Sequence, residues 1–191
     1  MGSVESLTNV KKIVENINEP VVVVVSALGG ITDRLIRTSQ LAVAGDDNYR
    51  NEFDAMVDRH HGIIDAVIPA GAAHDALKAK VDALLDELRS IYHGVYLIRD
   101  MTQKTANVIV SYGERMSSQI VSAFIEGSQC YDSREFIKTV RKQNRNLVDF
   151  DVTIRLVIQT FARMPRIAVV PGFIASDAND GETTNLGRGG S

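Results

Sequence analysis

Apolar residues recur every three or four positions over most of the 191-residue chain. This spacing is typical of amphipathic helices, and over residues 3 to 17 it predicts a first helix with Ser3 as its N-cap. A second helix is expected from Asp33 to Ala44, capped by Thr32 or Asp33. Further helices are predicted over 49–67, 74–98, 102–111, 114–125 and the segment DFDVTIRLVIQTFARM, with a break near Gly113.

Three short apolar runs interrupt the helical pattern and predict strands. The run VVVVV at 21–25 has no polar alternation, which is typical of a strand covered on both faces of a parallel sheet. SQCY predicts a short strand, and RIAVVPGF predicts a buried strand that ends at Pro171-Gly172. The stretch after it predicts a β-hairpin that turns at Asp180-Gly181. Alternating helices and buried strands indicate an α/β fold, and the length suits one domain.

Composition and charge narrow the classes of partner. Net charge is −3 with acids and bases interspersed, so the sequence favours small-molecule ligands and predicts neither a nucleic-acid nor a membrane partner. The longest apolar run is far shorter than the roughly 20 residues that span a membrane. Cys130 is the single cysteine, no signal-peptide pattern opens the chain, and we therefore predict a cytoplasmic protein.

Two loops carry residues suited to binding an anion or an amino acid. In SALGGITD, Gly29 and Gly30 let the backbone approach an anion while Ser26 and Thr32 offer hydroxyls, although an ordinary strand-to-helix turn explains the same letters. In SYGERMSS, Glu114 and Arg115 form a charged pair at a predicted helix start, but Ser111 and Glu114 also fit a capping box.

The chain's last residues, TTNLGRGGS, form a third candidate loop. Arg188 lies between glycines, so its guanidinium can grip a carboxylate or phosphate, and neighbouring backbone N–H groups can form an anion nest. A flexible tail is the alternative. The motif matches neither the P-loop nor the dinucleotide fingerprint.

Metal and nucleophile chemistry have little support in the sequence. His60 and His61 would point about 100° apart on a helix with no further ligand at zinc spacing, so we expect solvated histidines and no metal site. His74 and His93 are isolated, and we expect Cys130 to be a small buried side chain.

Three segments in this order, VVVVVSALGGITD, VSYGERMSSQIVSAFI and VVPGFIASDANDGETTNLGRGGS, resemble the aspartate kinases of the amino-acid kinase family. The SALGGITD motif and the predicted helices in the middle of the chain resemble the kinase portion of bifunctional aspartokinase/homoserine dehydrogenases. The likeness implies a three-layer α/β/α sandwich with a mainly parallel sheet. It also implies phosphorylation of the L-aspartate side-chain carboxylate by ATP with Mg²⁺, the first step toward lysine, threonine and methionine.

The resemblance also implies roles for individual residues. Ser26 and Thr32 match the hydroxyls at the aspartate and phosphoryl site, Glu114 matches the acid that holds the substrate ammonium, and Arg188 matches the base that grips its carboxylate. The implied phosphate-loop residues are Gly29, Gly30, Gly187, Gly189, Gly190 and Ser191. Positioning and charge neutralisation dominate such a transfer, so no protein nucleophile is needed.

The sequence also departs from the family pattern. The family's first strand carries K-F-G-G-T-S with a lysine on the transferred phosphoryl group, and neither that motif nor the nucleotide-binding half occurs in these 191 residues. We therefore expect residues 1–191 to be a partial amino-acid kinase domain, the acceptor-binding half, inactive by itself and a homo-oligomer within the full-length enzyme. Two alternatives stay open: a relative with another acidic acceptor, such as glutamate or a nucleotide, and a non-catalytic ligand-binding module.

Overall fold

The computed structural model describes residues 2–142 and 145–187. Six α-helices run through these residues: α1 (Val4–Glu15), α2 (Ile31–Ala44), α3 (Tyr49–Val67), α4 (Ala72–Ile98), α5 (Gln103–Phe124) and α6 (Phe150–Phe161). The strands are β1 (Val21–Val25), β2 (Ser128–Cys130), β3 (Lys138–Lys142), β4 (Arg145–Val148), β5 (Ile167–Pro171), β6 (Ile174–Asp177) and β7 (Thr183–Asn185). A 3₁₀ turn covers Ser133–Glu135. None of the described helices is long and apolar enough to cross a membrane.

The strands form two sheets. The first is parallel with the order β1-β5-β2, and its central strand β5 is buried along its whole length. The second has the order β4-β3-β6-β7, with β3 parallel to β6 and antiparallel pairs on either side. The prediction of an α/β fold with a parallel sheet is confirmed. The three-layer sandwich remains a prediction, and the second sheet was not predicted beyond its β6–β7 hairpin.

Helices α2 to α5 enclose one hydrophobic core against the parallel sheet. Its fully buried members include Leu35, Met56, Leu88, Met116 and Val169. At the other side, Phe161 of α6 packs against Tyr131 and Phe136 with ring centroids 5.1 Å apart in both pairs. The core therefore holds α5 firmly against the sheet, and α5 carries the main candidate for chemistry.

Several local predictions are confirmed and others are wrong. Ser3 caps α1 as expected, accepting a hydrogen bond from the backbone N–H of Ser6. Neither Thr32 nor Asp33 caps α2, because Gly30 occupies the N-cap position in a left-handed conformation with φ of 80°. The predicted break at Gly113 is also wrong, since α5 continues through it as one helix.

The expectation of solvated histidines is wrong for His60. Its side chain is fully buried in α3, and its Nδ1 lies 2.7 Å from the carbonyl oxygen of Met56 one helical turn earlier. Burial lowers its pKa because the imidazolium would lose hydration. His74 pairs with Asp65 and Asp75. Cys130 is half-buried, and this burial raises the pKa of its thiol, so the expectation of a buried side chain is met only in part.

Candidate functional site

The carboxyl ends of β1 and β5 lie side by side and form the edge at which the candidate residues meet. Val25 pairs with Pro171, and the backbone N–H of Gly172 donates to the carbonyl oxygen of Val25 at 2.7 Å. In parallel α/β sheets, loops and helix N-termini converge at this edge. Chain segments that follow β1 and β5 are therefore the natural place to look for a ligand site.

The turn from β1 into α2 contains four of the predicted site residues. Ser26, Gly29 and Gly30 are exposed, and Thr32 is half-buried in the first turn of α2. A Cβ at Gly30 would meet no atom within 4 Å, whereas Gly29 lies against the N-terminal segment, 3.5 Å from a Cβ built at Gly2, so open space lies on the Gly30 side of the turn. The first N–H groups of a helix lack partners within the helix and carry partial positive charge. This turn can therefore accept an anion at the start of α2.

Helix α5 approaches this turn closely because of Gly113. A Cβ built at Gly113 would lie only 2.8 Å from the Cβ of Ala27, and real Cβ atoms do not approach that closely. The Ser117 hydroxyl, one helical turn further on, donates to the carbonyl oxygen of Ser26 at 2.8 Å. Glycine is thus required for the contact that joins α5 to the residues following β1.

Glu114 lies beside Gly113 and points its carboxyl group into this contact. Its Oε1 accepts a hydrogen bond from the backbone N–H of Ala27 at 3.3 Å, and the residue is only 3% exposed. Its Oε2 is buried with no hydrogen-bond partner among the described residues. Desolvation raises the pKa of Glu114 to about 7, against the opposing effect of the Ala27 hydrogen bond. A cationic group beside Oε2 would reverse that shift.

The structure excludes two features expected around Glu114. No capping box forms, because Glu114 lies in the middle of α5 and the Ser111 hydroxyl donates to the carbonyl oxygen of Val108. Arg115 is not part of the site either, since its guanidinium lies over the ring of Tyr112 and pairs with Glu87 at 3.3 Å. Of the charged pair, only Glu114 hydrogen-bonds to the segment that follows β1.

The segment leading to the C-terminal glycine loop returns to the same edge. Phe173, directly after Gly172, has a left-handed φ of 63°, and its carbonyl oxygen accepts from the backbone N–H of Leu186 at 2.9 Å. Gly187 follows, also left-handed with φ of 80°. The structure thus brings Gly187 towards the end of β5. Arg188, Gly189, Gly190 and Ser191 lie outside the described residues.

Sequence reasoning missed Ser117 and Phe173. Ser117 lies three residues after Glu114 on the same helical face, a spacing that could have marked it as a neighbour of the site. Phe173 carried no such signal, since a positive φ is uncommon outside glycine and asparagine. Ser117 fixes the backbone at Ser26, and Phe173 fixes the segment that leads to Gly187 through its contact with Leu186.

The fold and this edge define an α/β protein with a candidate ligand site at the carboxyl ends of parallel strands, where a buried carboxyl group lies beside an exposed glycine turn. The model of the amino acid kinase family matches residues 1–191. The chain therefore belongs to the amino acid kinase family.

Its relatives include aspartokinases, as the resemblance implied. The chain is 30% identical over 199 residues to bifunctional aspartokinase/homoserine dehydrogenase 1, chloroplastic, of Zea mays, with 100% of this chain and 21% of that protein covered. It is 24% identical over 207 residues to aspartokinase 1, chloroplastic, of Arabidopsis thaliana, with coverage of 100% and 35%. The chain thus spans about a fifth to a third of these relatives.

A solved structure has the same fold. E. coli aspartokinase III in complex with aspartate and ADP superposes with a TM-score of 0.85 at 23% identity, covering 99% of this chain and 42% of that one.

The cytoplasmic location predicted from Cys130 remains a prediction.

Proposed function

We propose that this chain is the acceptor-binding half of an aspartate kinase, which transfers phosphate from ATP to the side-chain carboxylate of L-aspartate and forms 4-phospho-L-aspartate. Family membership and the relatives named above support this proposal. The observation that carries it is the carboxyl group of Glu114, buried at the sheet edge with one oxygen unpartnered among the described residues.

Glu114 is suited to holding an ammonium group. With its pKa raised to about 7, much of the carboxyl population is protonated at neutral pH. An ammonium beside Oε2 favours the ionised form, so aspartate binding near pH 6.5 should release a proton from Glu114. Arg188 would grip the α-carboxylate of the same aspartate, since a guanidinium pairs with a carboxylate through two parallel hydrogen bonds.

The β1–α2 turn suits the phosphate side of the reaction. Gly29 and Gly30 are exposed, and α2 begins immediately after them, so backbone N–H groups and the helix dipole would face the phosphates of ATP. The hydroxyls of Ser26 and Thr32, with Gly187, Gly189, Gly190 and Ser191, would line the path between acceptor and γ-phosphate. Mg²⁺ would enter with the nucleotide and neutralise phosphate charge.

The wider assignment follows from the relatives. We propose that the reaction is the first step toward lysine, threonine and methionine, and that the chain acts within a longer, homo-oligomeric enzyme. Whether a homoserine dehydrogenase accompanies it is decided by neighbouring sequence, because the chain covers 21% of the bifunctional relative.

Calorimetric titration of the 191-residue chain with L-aspartate tests the acceptor assignment. Glu114→Gln and Arg188→Ala should each weaken binding by about ten- to a hundredfold, since a hydrogen bond to a charged group contributes roughly 1.5–3 kcal/mol. Glu87→Gln is the matched control, because Glu87 contacts Tyr112 and Arg115 away from the sheet edge. Proton release, measured in two buffers of different ionisation enthalpy, should disappear in Glu114→Gln.

Other outcomes would contradict the proposal. If the folded chain bound L-glutamate more tightly than L-aspartate, the assignment of aspartate as the acceptor would be wrong, whereas membership of the amino acid kinase family would be unaffected. If it bound neither, the assignment of Glu114 as an ammonium site would fail. In a hydroxamate assay for aspartyl phosphate we expect no turnover from this chain, because K-F-G-G-T-S does not occur in its 191 residues.

A further inference from the structure

Helix α6 leaves an apolar face uncovered. Seven of its twelve residues are apolar, yet Thr153 is the only one of the twelve that is buried. The exposed fractions of Phe150, Ile154 and Ile158 are 67%, 54% and 66%. A helix of this length is marginal in water unless its apolar face packs against another element. The described residues leave these three side chains, which we call the α6 face, largely open to solvent.

The inner side of α6 fixes how this face is presented. The Thr153 hydroxyl accepts a hydrogen bond from the backbone N–H of Lys138 at 2.9 Å. Near the end of the helix, the ring of Phe161 packs against those of Tyr131 and Phe136. These contacts join α6 to β3 and to the residues after β2, whereas β1 lies at the opposite edge of the parallel sheet. The α6 face is therefore held in a fixed orientation and is separate from the edge of β1.

Opposite charges lie beside the α6 face. Its three residues are spaced four apart, so they form one row along the helix. Asp151 and Arg155 form a second row beside it, and both are exposed. Neither forms an ion pair within residues 2–142 and 145–187. The surface of α6 thus combines an apolar row with an acid near its start and a base near its middle.

This pattern is complementary to its own reversed copy. Two identical surfaces that meet about a twofold axis each use the same residues, and their helices can run antiparallel. With Ile154 opposite the partner's Ile154, Phe150 lies opposite the partner's Ile158. Asp151 is then displaced from the partner's Arg155 by only about 3 Å along the helix axis, at roughly 1.5 Å per residue. A parallel arrangement would instead place like charges together, which is unfavourable.

We propose that α6 packs antiparallel against α6 of a second copy of this chain, with the two α6 faces in contact and Asp151 paired with the partner's Arg155. Removing the apolar side chains of both faces from water would drive the contact, because hydrophobic burial is the main favourable term in most protein association. The exposed ion pairs would add little affinity but would select the antiparallel orientation. Such a contact is an interface for the homo-oligomer proposed above and does not depend on the acceptor assignment.

Disulfide cross-linking of the 191-residue chain tests the geometry. In a Cys130→Ser background, Ile154→Cys should form a covalent dimer with copper phenanthroline as the oxidant, because the twofold axis brings this position next to its own copy. Ile158→Cys is the matched control on the same row. A cysteine there would lie about 12 Å along the axis from the same position of the partner, so it should cross-link roughly ten times more slowly. Val24→Lys, on the edge of β1, should leave cross-linking at position 154 unchanged.

Charge reversal tests the orientation. Arg155→Glu places acids opposite acids and should raise the dimer dissociation constant about fivefold or more, measured by sedimentation equilibrium in the Val24→Lys background. The double variant Asp151→Arg/Arg155→Glu should restore the original constant, because the pair re-forms with its signs exchanged. Lys12→Glu, at an exposed base on α1, is the matched control and should leave the constant unchanged.

Three outcomes would overturn the α6 contact: chains that stay monomeric at high concentration in the Val24→Lys background, cross-linking at position 158 as fast as at 154, or a double variant that dimerises no better than Arg155→Glu. Calorimetric titration with L-aspartate does not depend on any of them. Failure of the α6 contact and failure of the acceptor assignment therefore give different results.

Discussion

Glu114 shows how one buried carboxyl group can couple stability to pH. Its pKa is raised by burial to about 7 from an ordinary value near 4.5, so the folded chain holds a proton that the unfolded chain has released between those values. The contribution of this group to folding stability is therefore fully present below about pH 4.5, decreases as pH rises to about 7, and is constant above that. Ionising Glu114 in the folded chain thus lowers the free energy of unfolding by a few kcal/mol, at roughly 1.4 kcal/mol for each pKa unit.

Glu114→Gln should remove this penalty. In urea unfolding, the free energy of unfolding of the variant relative to the wild type is expected to increase by about 2 kcal/mol from pH 5 to pH 8. Glu19→Gln, at an exposed residue, is the comparison for loss of a surface carboxyl group. Equal pH dependence in wild type and Glu114→Gln would mean that the carboxyl is hydrated in solution.

Individual residues were predictable from sequence only where their chemistry needed no packing information. Glu114 was chosen through a family resemblance, but its burial depends on a contact between α5 and Ala27 that local spacing does not encode. His60 was expected in solvent because its burial, too, depends on tertiary packing that local sequence does not encode. Its neighbours in sequence, Arg59 and His61, are polar, and only the packing of α3 into the core shows that it is enclosed.

Among the helices, the clearest difference between prediction and structure lies at Gly113, where α5 continues through a predicted break. Glycine weakens a helix by about 1 kcal/mol relative to alanine, so a helix break was the natural prediction. The glycine instead permits a close approach between a helix and a loop distant in sequence, which a local signal cannot distinguish from a break.

Gly113→Ala should destabilise the chain even though alanine favours helix. The new methyl group would lie 2.8 Å from the Cβ of Ala27 and 3.4 Å from Leu35, and such overpacking costs about 1–3 kcal/mol. Gly94→Ala, in α4 with no atom within 4 Å of its added Cβ, is the matched control and should stabilise by up to about 1 kcal/mol. Equal effects of the two substitutions on the urea midpoint would show that α5 moves away from Ala27 at no cost.

The whole molecule was only partly predictable because two strands of its second sheet, β3 and β4, have no apolar run that marks them as strands. Strands β1 and β5 are apolar runs and were predicted, whereas β3 and β4 have the mixed sequences KTVRK and RNLV. Lys138 and Thr139 of β3 pair with Ser176 and Asp177 of β6, nearly forty residues away. Such pairing depends on tertiary context more than on strand propensity.

The exposed edge of strand β1 leads us to expect that the chains associate in solution. Among the described residues it pairs only with β5, and Val22 and Val24 on its surface are 42% and 57% exposed. An apolar strand with a free edge pairs readily with another chain. We expect the molar mass from light scattering to rise with protein concentration, and Val24→Lys to reduce that rise because a charged edge strand resists pairing. Leu97→Lys, at an equally exposed apolar position on α4, should change it less. A constant monomeric mass for the wild type would show that the β1 edge does not mediate association.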